Sequence, residues 1–302
     1  MKIQKFIKDG NRLGAIFALS LIGCAAAHAT EGGGSVYPNG VDNFAAGAMP
    51  PPGIYGMVFG EHYTADRLND KDGNRVPLNF KVTADVIAPR FIWVTGQKIA
   101  GGDLAFHAIV PLVNLDVKVG NASQKKTGIG DITTGFSLGH HYSPQLHTLA
   151  GLDLFVPTGG YNKNDLANIG RNYWAYEPVY IVSYIDPKGF NGDIKLGYTF
   201  NQKNNGTNYK SGQEFHFDYA AGWGLGNGWT VGAGGYYYQQ TTDDQLNGAN
   251  IPNSKGRAFA IGPSVKYDSG KGWFVTAKWQ KEMAVENHAQ GSAVWIKAVF
   301  PL

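Results

Sequence analysis

The sequence predicts an all-β protein: a single 12-stranded antiparallel transmembrane β-barrel with an N-terminal periplasmic or plug segment. Three observations carry that expectation. Apolar and polar residues alternate in twelve separate stretches, a side-chain period of two that puts alternate residues on opposite faces of a sheet. The connections between the stretches are alternately short and long, the pattern of short periplasmic turns and long external loops. Past position 29, no run of about 18 apolar residues occurs, so helical membrane spans are excluded.

The chain opens with the three zones of an export signal. Lys2, Lys5, Lys8 and Arg12 form a basic start, Leu13 to Ala26 is apolar, and Ala27-His28-Ala29 is a small-x-small cleavage site, so residues 1–29 are expected to be a signal peptide. A second reading stays open: Leu21-Ile22-Gly23-Cys24 has the form of a lipobox, in which Cys24 would be lipidated and become the N-terminus. The formal charge of +3 belongs to this segment, since it holds four basic residues and one acidic residue and leaves 22 of each sign behind it. A neutral mature chain offers no general basic surface for nucleic acid. With 43% hydrophobic residues, 13% aromatic and one cysteine, it is neither a disordered chain nor a disulfide scaffold.

Residues 30–52 do not fit a strand. Gly32-Gly33-Gly34, Tyr37-Pro38-Asn39-Gly40 and Pro50-Pro51-Pro52 argue against a central strand. The segment is either a periplasmic tail or a plug folded into the barrel; Val36, Tyr37, Phe44 and Met49 would be left wet in a free tail, so some lumenal insertion from the periplasmic mouth is expected, with residues 53–302 as the barrel.

The alternating stretches run Gly53 to Tyr63, Phe80 to Thr95, Leu104 to Val119, Asp131 to Tyr142, Thr148 to Val156 and Tyr173 to Ile185. They continue as Asp193 to Phe200, Gln213 to Gly224, Trp229 to Gln240, Arg257 to Asp268, Trp273 to Val285 and Gly291 to Phe300. Most have the length of a tilted membrane strand. Alternation is plainest in Glu214 to Trp223, where Phe215, Phe217, Tyr219 and Trp223 share one face and Glu214, His216 and Asp218 the other. Short links fall at 143–146, 186–189, 225–228 and 269–272; long polar ones at 65–79, 120–130, 157–172, 201–212 and 241–256. Tyr55, Tyr63, Tyr142, Trp174, Tyr184, Trp229, Tyr267 and Trp273 sit at strand ends, where interfacial girdles place amphipathic rings.

The N-terminal block Glu31-Gly32-Gly33-Gly34-Ser35-Val36-Tyr37-Pro38-Asn39-Gly40, the approach Pro51-Pro52-Gly53-Ile54-Tyr55, the corner Phe155-Val156-Pro157-Thr158-Gly159 and the ending Trp295 to Leu302 together resemble the phenol-degradation meta-pathway outer-membrane proteins. The resemblance implies an outer-membrane barrel linked to catabolism of aromatic compounds and admitting hydrophobic substrates, distantly similar to fatty-acid and toluene channels. It supplies no binding residues. Recognition by the barrel-assembly machinery through Trp295 to Phe300 would have to tolerate Pro301-Leu302 beyond the terminal aromatic.

If the aromatic faces meet lipid, the lumen receives Lys81, Thr83, Asp85, His107, Asp153, Glu177, Lys195, Glu214, His216, Asp218 and Lys266. These groups either hold water and orient a polar headgroup or phenolic OH, or form compensating ion pairs that brace the wall. The third stretch changes phase: Leu104, Phe106, Ala108, Val110 and Leu112 occupy even positions, Leu115, Val117 and Val119 odd ones, with Pro111 between. A bulge there would restore the lipid face. Pro89 marks a similar disruption next door, and the pair Pro89 and Pro111 is either a bulge that only adjusts curvature, the favoured reading, or the candidate for a lateral gate. His140-His141-Tyr142-Ser143 is the one local His/Ser candidate for catalysis, at a turn and without an orienting third group, so no enzyme is expected. Asp70-Lys71-Asp72-Gly73 fails the calcium-loop pattern. The expectation is passive uptake of small hydrophobic, aromatic compounds through the outer membrane, with a general-diffusion or structural barrel as the alternative. No cofactor, metal or nucleic acid is expected, and outer-membrane lipid is the surrounding partner.

Overall fold

The computed structural model describes Glu31 and residues 33–302; the signal-peptide and Cys24 readings lie outside the described residues. Every regular element among them is a strand: β1 (Gly53–Leu68), β2 (Phe80–Ile99), β3 (Gly102–Ile109), β4 (Leu112–Val119), β5 (Ala122–Ile129), β6 (Ile132–His141), β7 (Leu146–Val156), β8 (Ala175–Ile185) and β9 (Phe190–Asn201). There follow β10 (Tyr209–Lys210), β11 (Glu214–Gly224), β12 (Trp229–Gln240), β13 (Gln245–Leu246), β14 (Ala249–Asn250), β15 (Arg257–Asp268), β16 (Phe274–Glu286) and β17 (Ala289–Pro301). β10, β13 and β14 form a small separate sheet on the long loops. The others form the wall, antiparallel throughout, and β1 pairs with both β2 and β17, so the sheet closes on itself. Closure leaves no free edge along the membrane, the condition lipid imposes on a backbone it cannot solvate. β3 and β4 both pair with β2 and make one stave; β5 and β6 pair with them and make the next. The barrel therefore has twelve staves, as the alternation predicts.

Several strands run a few residues past their expected ends, β1 to Leu68 and β2 to Ile99 among them, and the largest difference is in the fourth stave. The fourth stave does not start at Asp131: residues 122–129, expected within a long polar loop, are β5, paired along its length with β4. Its sequence Ala-Ser-Gln-Lys-Lys-Thr-Gly-Ile carries no apolar alternation because it stands beyond the membrane, where neither face of a strand has to be apolar. The third stave is interrupted at Val110-Pro111 and the fourth at Gly130-Asp131.

The phase change in the third stave is not a bulge that restores a lipid face. Even-numbered residues point outward on both sides of the interruption: Phe106 and Leu112 are exposed, while Ala105 and His107 are buried. What changes is the medium outside. Ile87, Leu112 and Ile129 are the last apolar residues of the outward rows on β2, β4 and β5, and they are neighbours in the ladder. One step further on, His62 contacts Asp85 at 2.7 Å, Asn114 donates to Asp85 at 3.3 Å and Thr127 donates to Asn114 at 3.0 Å. This polar belt crosses β1, β2, β4 and β5. β2 has 20 residues, about 66 Å at 3.3 Å per residue, far more than the hydrocarbon core requires. Its outer part stands in water, so Lys81, Thr83 and Asp85 face outward to solvent and Val82, Ala84 and Val86 face inward.

The loop 157–172 packs over the inner side of this extension. Ala167 N–H donates to Gln124 at 2.8 Å, and Asp165 accepts from Gln124 at 3.0 Å and from Lys126. At its base Asp131 accepts the N–H groups of Gly159 (2.8 Å) and Arg171 (2.7 Å). Gly170 is required here, because a Cβ would lie 2.4 Å from the Gly159 carbonyl oxygen.

Candidate functional site

The segment before β1 threads the lumen from end to end. The lumenal insertion expected from the sequence reaches well beyond the periplasmic mouth: the segment's start lies among the long loops and its end reaches the short-turn end, where Gly53 opens β1. At the loop end the Glu31 carboxylate accepts from Asn204 (2.9 Å), Thr207 (2.7 Å) and Tyr161 (3.1 Å). Ser35 donates to Glu214, and Arg171 donates to the Ser35 carbonyl at 3.2 Å. Tyr37 stacks on His216 with ring centroids 4.0 Å apart, lies under the Lys195 ammonium at 4.4 Å and donates to Asp218 at 2.7 Å.

Asp218 is the hub of the mid-lumen. It also accepts the backbone N–H groups of Gly40 and Asp42, each at 2.8 Å. The Asp42 carboxylate lies 3.2 Å from Lys195 and 3.7 Å from Lys297, and Lys278 donates to the Asp42 carbonyl at 2.9 Å. Further down, Ser264 donates to Asn43 at 2.8 Å, Asp193 accepts the N–H groups of Ala45 and Ala46 at 2.9 Å, and Ser183 accepts from Gly47 at 2.8 Å. Met49 fills the last gap beside Val94 and Ala105. An irregular chain cannot satisfy its own N–H groups, so inward carboxylates and hydroxyls of the wall do it instead. Several inward charges are in turn paired, Asp42 with Lys195 and Lys297, Asp153 with His107 and Glu177 with His216, as a water-poor lumen favours.

Of the residues expected to line the lumen, His107, Asp153, Glu177, Lys195, Glu214, His216, Asp218 and Lys266 do face inward. Glu214, His216, Asp218 and Lys195 converge on the plug. Glu177 accepts from Thr199 at 2.5 Å and lies 3.0 Å from His216, supporting the ring on which Tyr37 stacks. Asp153 and His107 pair at 3.0 Å. Lys266 sits apart near the short-turn end, 3.3 Å from Asp268. Lys81 and Asp85 are corrections: both point outward, above the polar belt. Pro89 lies on the outward face of an uninterrupted β2, paired with Val58, and only Pro111 marks an interruption. That interruption is bridged by Val110 N–H to the Pro89 carbonyl (3.1 Å) and Gly130 N–H to the Pro111 carbonyl (2.8 Å).

Sequence reasoning missed Arg90, Asp193, Lys278 and Lys297. Their parity alone would have found them, since each shares an inward row with buried neighbours. Asp42 carried no such signal, because it lies in a segment without a period. Around Asp42, Arg90, His107, Asp153, Lys195 and Lys297 the plug leaves a cavity of about 40 Å³, lined also by Met57, Leu149, Val179 and Ile181. His141 and Ser143 do not form a nucleophile–base pair: His141 contacts His147 at 2.7 Å, while Ser143 accepts the N–H groups of Gln145 and Leu146 in its own turn. Among the described residues no group of three or more His, Cys, Asp or Glu is placed to hold a metal ion.

Asp244 ties the long loops together, accepting from Gly212 N–H (2.7 Å), Gln240 (2.7 Å) and Tyr209. Burial pushes its carboxyl up to about 6, against the pull of those hydrogen bonds. A carboxyl raised above its unfolded value of about 3.9 favours the folded state most when protonated. The loop cluster is therefore expected to be tightest at or below about pH 4 and to loosen as pH rises towards 6. Amide exchange at Gly212, corrected for intrinsic rate, should be more protected at pH 4.5 than at pH 7.5, and the difference should vanish in Asp244→Asn.

No curated protein sequence matches the chain. Among solved structures it is similar to the COG4313 outer membrane channel from Pseudomonas putida F1, at 19% identity and TM-score 0.76 over 87% of this chain and 100% of that one. It is more remotely similar to the translocator domain of the autotransporter NalP from Neisseria meningitidis (10% identity, TM-score 0.49, 85% and 91% covered). The CymD monoaromatic hydrocarbon channel is a further distant likeness (10% identity, TM-score 0.42, 92% of this chain and 98% of that one covered). The likeness to the Pseudomonas putida structure shows the fold, an outer-membrane-type twelve-stranded β-barrel. A family model described as the putative MetA-pathway of phenol degradation matches residues 65–298, beginning after the N-terminal block, and the chain belongs to that family.

Proposed function

We propose that this protein resides in the outer membrane and admits small hydrophobic, aromatic compounds by passive diffusion. One observation carries the reading: the plug fills the lumen and leaves a cavity of about 40 Å³, room for about three waters, where a general-diffusion pore of 16 to 18 strands would hold an aqueous channel. Polar solutes gain nothing from so narrow a path. Apolar solutes meet Met57, Leu149, Val179 and Ile181 once the plug shifts. Membership of a family described by phenol degradation supports the aromatic assignment. The interruption at Pro111 is the candidate for a lateral exit, closed in this structure by the two backbone hydrogen bonds that bridge it.

A strain lacking the protein should grow more slowly than its parent on aromatic carbon sources at limiting concentration, with growth restored by the full-length gene. The purified protein should show little ion conductance in planar bilayers. Equal growth of the two strains on every aromatic source tested would reject the uptake role, and a large steady conductance would favour the general-diffusion reading. Unchanged aromatic uptake by a normally assembled variant substituted at Pro89 and Pro111 would remove the lateral exit.

A further inference from the structure

We propose that the mid-lumen cavity is a binding site for the carboxylate of an organic acid, so that the compounds admitted include aromatic monocarboxylates; this rests on the uptake reading above. The cavity wall carries three basic side chains, Arg90, Lys195 and Lys297, against two carboxylates, Asp42 and Asp153. Both carboxylates are engaged within the protein. Asp42 faces Lys195 and Lys297, and Asp153 pairs with His107. Arg90 is left over: its Nε is buried without a hydrogen-bond partner, and its side chain makes no hydrogen bond among the described residues.

A guanidinium in a confined, water-poor space is costly unless something accepts its protons. It presents a planar fork that a carboxylate matches with two parallel hydrogen bonds. The position of Arg90 is set by the wall, since β2 places it opposite Met57 of β1 and Ile109 of β3 with its side chain turned inward. One added negative charge would balance the three cations. The cavity of about 40 Å³ takes a group of about three heavy atoms, the size of a carboxylate and too small for a ring. The ring would need the plug to shift, and would then lie against Met57, Leu149, Val179 and Ile181, which line the same cavity. Met57 is paired with Arg90 and Ile181 with Lys195, so apolar surface stands beside the cations that would hold the carboxylate.

Titration calorimetry of the purified full-length protein with benzoate, and with benzamide as its neutral counterpart of similar shape, tests this directly. Benzoate should bind at least tenfold more tightly than benzamide. Arg90→Gln should abolish that preference, Arg90→Lys should retain part of it, and Arg257→Gln, at the loop end beside Glu286, should leave it intact. Heat-modifiable mobility on gels establishes that each variant is a folded barrel. Equal binding of benzoate and benzamide, or an unchanged preference in folded Arg90→Gln, overturns the proposal. The two readings fail separately: neutral arenes should still enter cells carrying Arg90→Gln, so loss of the carboxylate site leaves the uptake reading standing. Normal growth of the deletion strain would reject uptake without touching a calorimetric preference for benzoate.

Discussion

Replacing Asp218 with asparagine should open the barrel to ions. The carboxylate accepts Tyr37 O–H and the N–H groups of Gly40 and Asp42 at 2.7 to 2.8 Å, and it is buried. An amide of the same shape keeps one acceptor oxygen and turns an NH₂ towards groups that are themselves donors. Each hydrogen bond to a charged group contributes about 1.5–3 kcal/mol, so losing one or two of the three should weaken the plug by about 3 kcal/mol. That is roughly a hundredfold in the population of the displaced plug. Single-channel recordings of Asp218→Asn should show conductance rising towards that of a chain deleted for residues 33–48. Asp268→Asn, which alters an exposed partner of Lys266 near the short-turn end, should conduct as the parent does. A quiet Asp218→Asn channel beside a conducting deletion would show that the hub does not hold the plug.

Phe91→Arg and Thr83→Arg, two substitutions on the outward face of the same strand, should differ sharply in cost. Phe91 is exposed between Ile87 and Trp93 in the apolar outward row, while Thr83 lies beyond the polar belt of His62, Asp85, Asn114 and Thr127. A charge facing lipid near the midplane of a barrel costs about 2–4 kcal/mol and near the interface about 0–1 kcal/mol. Urea titrations of folding into lipid vesicles should therefore show a marked loss for Phe91→Arg and almost none for Thr83→Arg. Equal losses would contradict the placement of the lipid boundary between Asp85 and Ile87.

The strands were legible because lipid leaves the chain few choices. A wall with lipid on one side and a polar lumen on the other must alternate, and Glu214 to Trp223 shows the pattern without reference to any contact. The same alternation led Lys81 and Asp85 astray. A period of two tells which residues share a face; it does not tell which medium that face meets. Along β2 and the third stave the outward face passes from lipid to water while its direction stays constant. The polar row at Lys81, Thr83 and Asp85 and the apolar row at Val113, Leu115 and Val117 therefore exchange sides in chemistry but not in space. Residues 122–129 read as a loop for the same reason.

By itself the sequence determined the twelve staves, the order of short and long connections and the inward row that holds His216 and Asp218, since these follow from local alternation and turn chemistry. Only the tertiary structure decided what the plug does. Asp42 meets Lys195 and Lys297 across more than 150 positions of chain, and no periodic signal marks an irregular segment for such partners. Closure of the barrel brings those lysines to face one another across the lumen. The plug then supplies the carboxylate that lets both remain charged away from water, and leaves Arg90 beside the cavity without a hydrogen-bonding partner of its own.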